Sequence, residues 1–571
     1  MRLRITKCKN CNIYYVIKTI YVDKKEKTIT IERLGNDDDL KKKANGEDPI
    51  LWAKKYIEKL NKEEKEKTRK IMIPKFQNKL VEKNTDFLFN CGYLFLEKIY
   101  YELGLDKICK SIGNRHKFEY DLNDILSKLI YSRIIYPSSK LKTYDLSRKF
   151  IEQPNFSLND LYRSLDIIAK ESDYIQSQIY KNSAKVIDRN SKILYYDCTN
   201  YFFEIEKESG LKQYGPSKEH RPNPIVQMGL FIDGNGIPLA FCINPGNQNE
   251  QLSLTPLEEK ILKDFELSKF IVCTDAGLSS AQNRKFNSLN DRAFITAQSV
   301  KKLKGQIKEW ALSSKGWKIV SGSQEYDISK LDEEKYKDTV FYKETSLDAK
   351  ESKVPQRLIV TFSFKYKNYL KTIRENQINR AIKALTDKNI RLDKVNLNDY
   401  RRFIKKESIT KDGEVAENQA YSLNQDQIDK EAIYDGYYAV CTNLDGNVSD
   451  IININKRRWE IEESFRIMKT EFKSRPVYLS DDERIKAHFT TCFLSLLIYR
   501  ILEKKLDEKY TCDEIIDCLR NMNLLRVDEG YLPSYIRNNL TDQLHEKMGF
   551  RTDYEIVSNS EIKNILKLIK K

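Results

Sequence analysis

Alternation and helical periodicity divide the chain into stretches of different kind. The opening, MRLRITKCKNCNIYYV, alternates polar and apolar positions as a strand does, and TIYVDKKEKTITIERLG continues it as a hairpin with a polar turn. Residues 1 to about 40 are therefore predicted to form two or three short strands. From Asp48 to about Lys70 the Glu/Lys-rich run predicts a helix with a solvated face, followed by a linker around Pro74. Helical periodicity is clear in CGYLFLEKIYYELGLDKICKSI and in DLNDILSKLIYSRIIYPSSK, which Pro137 ends. A further helix is predicted at Phe156–Lys170, with Ser157 or Asn159 as N-cap.

The pattern changes near residue 190. ILYYDCTNYFFEIE (Ile193–Glu206) is an apolar, β-rich run that carries Asp197 next to Thr199. PIVQMGLFID and GIPLAFCINPG follow, joined across Gly234-Asn235 as a hairpin. The helical run LTPLEEKILKDF leads to FIVCTDAGLSS (Phe270–Ser280), which delivers Asp275 before a glycine, and another strand is predicted at Ala293–Gln298. Both aspartates stand where a buried strand gives way to a turn, the usual position of functional side chains in α/β sheets.

NKRRWEIEESFRIMKTEF (Asn455–Phe472) reads as one helix, on which Glu462 and Lys469 lie four and seven residues apart from the preceding cation and acid of the set, Arg458 and Glu462. At about 100° per residue these three fall within a stripe roughly 60° wide. A neighbouring stripe of Ile461, Phe465, Met468 and Phe472 is apolar and anchors the helix to a core. The result is a carboxylate between two cations at the edge of a packed surface, suited to a metal ion together with phosphate oxygens. The plain alternative is a solvated helix with an ordinary i, i+4 ion pair.

Composition narrows the partners. The 571 residues include 100 Lys plus Arg against 84 Asp plus Glu, a formal charge of +16 that favours a polyanion. Eleven cysteines lack the clustered spacing of a disulfide framework, and Cys242, Cys273 and Cys492 sit in apolar runs, as in a reducing cytosol. Cys8 and Cys11 form a Cys-x2-Cys pair with no second pair at zinc-finger spacing, and His116, His220, His488 and His545 are dispersed. No charged-then-apolar leader opens the chain, and the most apolar helical run, about Phe489–Leu502, is too short to span a bilayer, so a soluble protein without a membrane partner is expected.

Taken in order, these pieces resemble the DDE transposases of bacterial insertion sequences, in particular the subgroup with a Tyr-x2-Arg-x3-Glu-x6-Lys signature on the last catalytic helix. Arg458, Glu462 and Lys469 match three of its four positions, and Asn455 stands where the family has Tyr. DCT at Asp197–Thr199, DAGLSSAQN at Asp275–Asn283, FITAQS at Phe294–Ser299, DGYYAVCTN at Asp435–Asn443 and RPVYLSDDERIKAHF at Arg475–Phe489 carry the likeness over roughly residues 80 to 505. The resemblance implies an RNase H-like fold, and the predicted meander, crossover helix and further strand have that order. It also implies two Mg²⁺ or Mn²⁺ ions, with Asp197 bridging both, Asp275 holding one and Glu462 the other. Arg458 and Lys469 are then expected to contact phosphates, with Asn455 in the place of the signature Tyr. Implied partners are double-stranded DNA (terminal inverted repeats and target) and a second copy of the chain; the implied reaction is hydrolytic nicking at element ends followed by strand transfer, with hairpin intermediates, in the bacterial cytoplasm at the nucleoid. Two alternatives share the pattern: an RNase H-like nuclease that cuts without joining, and a catalytically inactive transposase-derived DNA-binding protein.

The expected fold class is α/β: an RNase H-like mixed sheet with a β-rich insertion subdomain and helical N-terminal and C-terminal regions. The expected boundaries are 1–75 for the hairpin and charged helix, and 76–190 for a helical region. There Arg133, Lys140, Lys142, Arg148 and Lys149 suit DNA-end binding, with simple helical packing the alternative. The catalytic domain is expected at 191–299 with 433–505, and a helical C-terminal region at 506–571. The interval from Asp275 to Glu462 is more than twice that from Asp197 to Asp275, so 300–432 is read as the insertion. Its Lys365, Lys367, Lys371, Arg374 and Arg380 are basic, and its Trp310 and Trp317 are candidates for stacking on an unpaired base or, more simply, for the core.

Overall fold

A computed structural model describes residues 1–571 except 9–10, 23–24, 68–72, 74–76, 321, 323, 387–398 and 409–418. The linker expected at Pro74 lies outside the described residues. The chain divides into two compact units, Met1–Thr85 with Val527–Glu529, and Asp86–Arg526 with Gly530–Lys571.

In the first unit, β1 (Arg2–Lys7), β2 (Asn12–Val22) and β3 (Lys25–Asn36) form an antiparallel sheet, followed by α1 (Asp37–Ala44) and α2 (Pro49–Lys67). Asn36 and Asp39 form a capping box at the start of α1, and Pro49 opens α2, where its missing N–H is harmless. Tyr14, Val16, Leu34, Leu40, Ala53 and Ile57 make the core. The N–H of Cys8 donates to the Cys11 carbonyl, both residues are exposed, and all eleven cysteines are free.

The second unit begins with β4 (Leu88–Asn90) and six helices, α3 (Tyr93–Glu102), α4 (Leu105–Arg115), α5 (Leu122–Ile135), α6 (Lys140–Ser147), α7 (Leu158–Lys170) and α8 (Ser172–Ser183). Ser157, not Asn159, caps α7, in a capping box with Asp160. Of the cations read here as DNA-facing, Lys142, Arg148 and Lys149 are exposed, whereas Arg133 and Lys140 are buried. Arg133 donates to the carbonyls of Phe472 (3.1 Å) and Ser138 (3.1 Å), so it braces the interior and does not face DNA.

Among the described residues the central sheet has ten strands. β5 (Ile193–Phe202), β6 (Ile225–Asp233) and β7 (Pro238–Pro245) form the meander, α9 (Leu254–Asp264) crosses to β8 (Ile271–Thr274), and α10 (Ala281–Phe286) precedes β9 (Ala293–Gln298). β5, β8 and β9 are parallel, and β6 and β7 continue antiparallel beyond β5, the order of an RNase H-like sheet.

The inserted segment contributes α11 (Gly305–Leu312), β10 (Trp317–Ile319), β11 (Glu325–Tyr326), β12 (Phe341–Leu347), α12 (Ala349–Ser352), β13 (Gln356–Phe362), α13 (Phe364–Thr386), the hairpin β14 (Ile404–Ser408) and β15 (Gln419–Leu423), and α14 (Gln425–Ala432). Its strands β10 to β13 extend the central sheet, because β16 (Tyr437–Thr442) pairs with β9 on one side and β13 on the other. Trp317 is fully buried against Phe362 and Tyr437, which rules out base stacking in this arrangement.

After β16 come α15 (Val448–Lys456), α16 (Trp459–Thr470) and α17 (Asp482–Lys505). The run read as 14 residues is a 24-residue helix, because the polar DERIKAH turns join it. By length and composition α17 is able to cross a bilayer, yet it is buried in the protein core against α3, α5, α7 and β7. The C-terminal region, expected to be helical, has α18 (Cys512–Asn521), α19 (Asn539–Met548) and α20 (Asn559–Ile569), and also β17 (Asn523–Val527), β18 (Gly530–Pro533) and β19 (Val557–Ser558), which form a small sheet in which β17 pairs with β4.

Candidate active site

Side-chain alternation along β5 sorts its residues. Tyr195 and Tyr201 join the core beneath α16, while Tyr196 and Cys198 join the cluster under α9. Asp197 and Thr199 therefore share the face that meets α16. β5 and β8 run parallel in a register whose last rung pairs Tyr196 with Thr274, so Asp197 and Asp275 come next at the same level on neighbouring strands. Strand spacing sets their backbones about 5 Å apart. Asp197 accepts a bond from the Cys198 N–H (2.8 Å) and Asp275 from the Ala276 N–H (2.6 Å).

The helix expected over Asn455–Phe472 is two helices with a break at Arg457 and Arg458. No glycine or proline marks the break. Bonds of the i to i−3 kind tighten it, from Arg458 to Asn455 and from Ile461 to Arg458, and the Tyr195 hydroxyl donates to the Ile454 carbonyl (2.9 Å) at its edge. Glu460, buried and bonded to Arg457, lies under Gly236 in the β6–β7 turn; a Cβ on Gly236 would stand 1.9 Å from its Oε2. Ile461, Phe465, Met468 and Phe472 are buried as expected.

Arg458 lies between two of the acids, with Nη1 3.4 Å from Asp275 Oδ1 and Nη2 3.6 Å from Glu462 Oε1. Lys469 Nζ donates to Thr199 Oγ1 (2.6 Å), two residues beyond Asp197. Asp197, Asp275, Arg458, Glu462 and Lys469 are thus brought to one end of the sheet. Asn455 is not. It is buried, its Nδ2 donates to the Tyr438 hydroxyl (3.1 Å), and it props that residue from behind instead of meeting DNA. A cleft of about 420 Å³, with Tyr366, Tyr434 and Tyr438 in its lining, opens beside Asp275.

Burial pushes the Asp197 carboxyl up to about 6; Lys218 and Arg458 pull it down and Asp275 pushes it up. Among the described residues no ion-pair partner lies within 4 Å of it, so it is a carboxylate short of a counter-charge. Burial likewise lowers Lys469 to about 8, with Lys218 adding repulsion. Among the described residues no three His, Cys, Asp or Glu side chains gather closely enough around one point to hold an ion. An ion held by two carboxylates, with water or phosphate oxygens in its other positions, would not require three. Hard oxygen donors and an under-neutralised Asp197 fit divalent cations such as Mg²⁺ or Mn²⁺ in chemistry and charge.

Four further residues meet here, of which Arg475 alone had a sequence signal, as the first residue of RPVYLSDDERIKAHF. Lys218 pairs with Glu250 (3.2 Å), and Glu219 pairs with Lys469 (3.4 Å) and with Arg475. Lys218 and Glu219 belong to a KEHR run in a Gly/Pro-punctuated loop between β5 and β6, which reads as an ordinary solvated turn.

The fold and these acids define a protein of the RNase H-like class. The family profile described as Transposase DDE domain matches residues 202–498, a little over half of the chain. The chain belongs to that family. The match begins just after Asp197 and includes Asp275, Arg458, Glu462 and Lys469. Among solved structures, a piggyBac transposase synaptic complex with hairpin DNA is similar at 9% identity and a TM-score of 0.36, over 84% of this chain and 84% of that one. A search of curated proteins found no match.

Proposed function

We propose that this transposase cleaves DNA at the ends of a bacterial insertion sequence and joins the freed 3′-OH to target DNA. The observation that carries the reading is the parallel register of β5 and β8, which sets Asp197 beside Asp275, with Arg458 linking Asp275 to Glu462. Phosphoryl transfer on DNA needs an attacking oxygen, a leaving oxygen and a means of holding their negative charge. Asp197, Asp275 and Glu462 would hold two divalent ions, which would supply the positive charge and an activated water or hydroxyl. Arg458 holds phosphate bidentately and Lys469 as a point charge. Of the signature residues, Arg, Glu and Lys take these roles; Asn455 does not replace the Tyr contact. Two copies of the chain acting on paired ends in the cytoplasm complete the reading.

Incubating the full chain with DNA from both borders of its own gene and Mg²⁺, then mapping the products, tests it. Cuts at inverted-repeat ends followed by joining support it. Cutting without joining turns the reading to a nuclease, and salt-sensitive binding with no metal-dependent product turns it to an inactive DNA-binding protein.

A further inference from the structure

The loop between β5 and β6 carries an acid into a group of cations beside the candidate active site. Glu219 sits in a tight turn fastened at both ends. Ser217 Oγ accepts the N–H groups of Glu219 (3.3 Å) and Arg221 (3.2 Å), and Asn200 on β5 donates to the Pro216 carbonyl (3.0 Å) and accepts the Lys218 N–H (3.3 Å). The segment after α16 is fixed to the same strand end, where the Val477 N–H donates to the Phe202 carbonyl (3.0 Å). Two separately anchored segments thus bring their charges together.

The balance of those charges is uneven. Glu219 pairs with Lys469 (3.4 Å), with Arg475, and more distantly with Arg221 (3.8 Å), so one carboxylate serves three cations. Lys218, though paired with Glu250 (3.2 Å), adds to the positive charge felt by Lys469. Lys469 and Arg475 are largely enclosed, their side chains 14% and 26% exposed. Partly enclosed cations with too little negative charge favour a further anion. A carboxylate and a DNA phosphodiester each present two oxygens bearing one negative charge, and both accept forked bonds from Arg and a point contact from Lys.

We propose that Lys469, Arg475 and Arg221 form a site for one backbone phosphate of the DNA strand flanking the cleaved bond, and that Glu219 occupies this site as a phosphate substitute until DNA displaces it. The inference rests on the reading above that Lys469 faces DNA. It adds Arg475 and Arg221 as phosphate contacts, and it makes Glu219 a residue that weakens binding. Any duplex must displace the carboxylate, so Glu219 disfavours DNA that cannot also reach the rest of the site.

The test compares full-length wild type, Glu219→Gln, Arg475→Gln and the double variant, by fluorescence anisotropy with a labelled border duplex and a labelled random duplex over a salt series. Glu219→Gln is expected to bind both duplexes about tenfold tighter with an unchanged salt slope. Arg475→Gln is expected to bind more weakly, with a slope shallower by about 0.9, the loss of one phosphate contact. In the double variant the gain from Glu219→Gln should shrink to about twofold or less, because the displaced contact is gone. Equal or weaker binding by Glu219→Gln, or a full gain that survives without Arg475, overturns the proposal, since a merely structural Glu219 gives one of those results. If Glu219→Gln does not fold, the slope of Arg475→Gln decides alone. A wild type that binds DNA but never cuts it sinks the transposase reading and leaves this comparison intact.

Discussion

Replacing Asp197 with Asn should stabilise the metal-free protein at neutral pH. Burial raises the Asp197 carboxyl from 3.8 to about 6, so the folded state holds its proton more tightly than the unfolded chain does. Below about pH 3 both states are protonated and the side chain is neutral with respect to stability. As pH rises from about 3 to 6 the unfolded chain ionises first, and folding loses free energy until the folded carboxyl also ionises. A shift of about two pK units corresponds to about 3 kcal/mol above pH 6. Asn keeps the oxygen that accepts the Cys198 N–H and carries no charge. Because the chain has two units, the local readout is preferable to global unfolding: hydrogen exchange of peptides covering β5, with EDTA present. Exchange of these peptides in Asp197→Asn should be slower than in wild type by up to about 100-fold at pH 7.5, and the two should converge near pH 3. Mn²⁺ should slow exchange in wild type and leave the variant unmoved. Equal exchange at pH 7.5, or a difference that persists at pH 3, would refute the reasoning.

Three other outcomes follow from the same geometry. Burial lowers Lys469 from 10.5 to about 8, so its charge is present below that pH and lost above it. Affinity for a border duplex at fixed ionic strength should therefore fall between pH 7 and 9, and Lys469→Arg should flatten that dependence; a profile unchanged by the substitution contradicts the assignment. Gly236 has φ +79°, and a Cβ there would meet Glu460, so Gly236→Ala should destabilise by at least about 1–2 kcal/mol, seen as a lower thermal midpoint; a midpoint equal to wild type speaks against this packing. Tyr195→Phe removes the hydroxyl bond to the Ile454 carbonyl and should weaken the α15–α16 junction by about 1 kcal/mol, seen as faster exchange in peptides spanning that break; unchanged exchange denies Tyr195 that role.

Much of the site was legible because its chemistry sits at the ends of strongly patterned runs. The apolar stretches before Asp197 and Asp275 can only be buried strands, and the apolar stripe Ile461, Phe465, Met468 and Phe472 fixes which side of α16 turns inward. What escaped the sequence depends on contacts between distant segments. The break before Arg458 comes with the Tyr195 hydroxyl bond, not with a helix-breaking residue, and it turns Asn455 into the interior. Arg133 and Lys140 read as surface cations, yet Arg133 is buried because the carbonyls of Phe472 and Ser138 need donors. Glu219 and Lys469 meet across 250 residues, a pairing that no local pattern encodes. Strands β10 to β13 of the inserted segment look like a separate body until β16 is seen to pair on both its edges, which merges them with the central sheet.

The central claim is that Asp197, Asp275 and Glu462 together hold two divalent ions against DNA. Anomalous diffraction from crystals of the full chain with a border duplex and Mn²⁺ tests it most directly. The account predicts two peaks about 4 Å apart, both touching Asp197, one also touching Asp275 and the other Glu462. Mn²⁺ peaks that avoid all three carboxylates in the DNA-bound protein would contradict it.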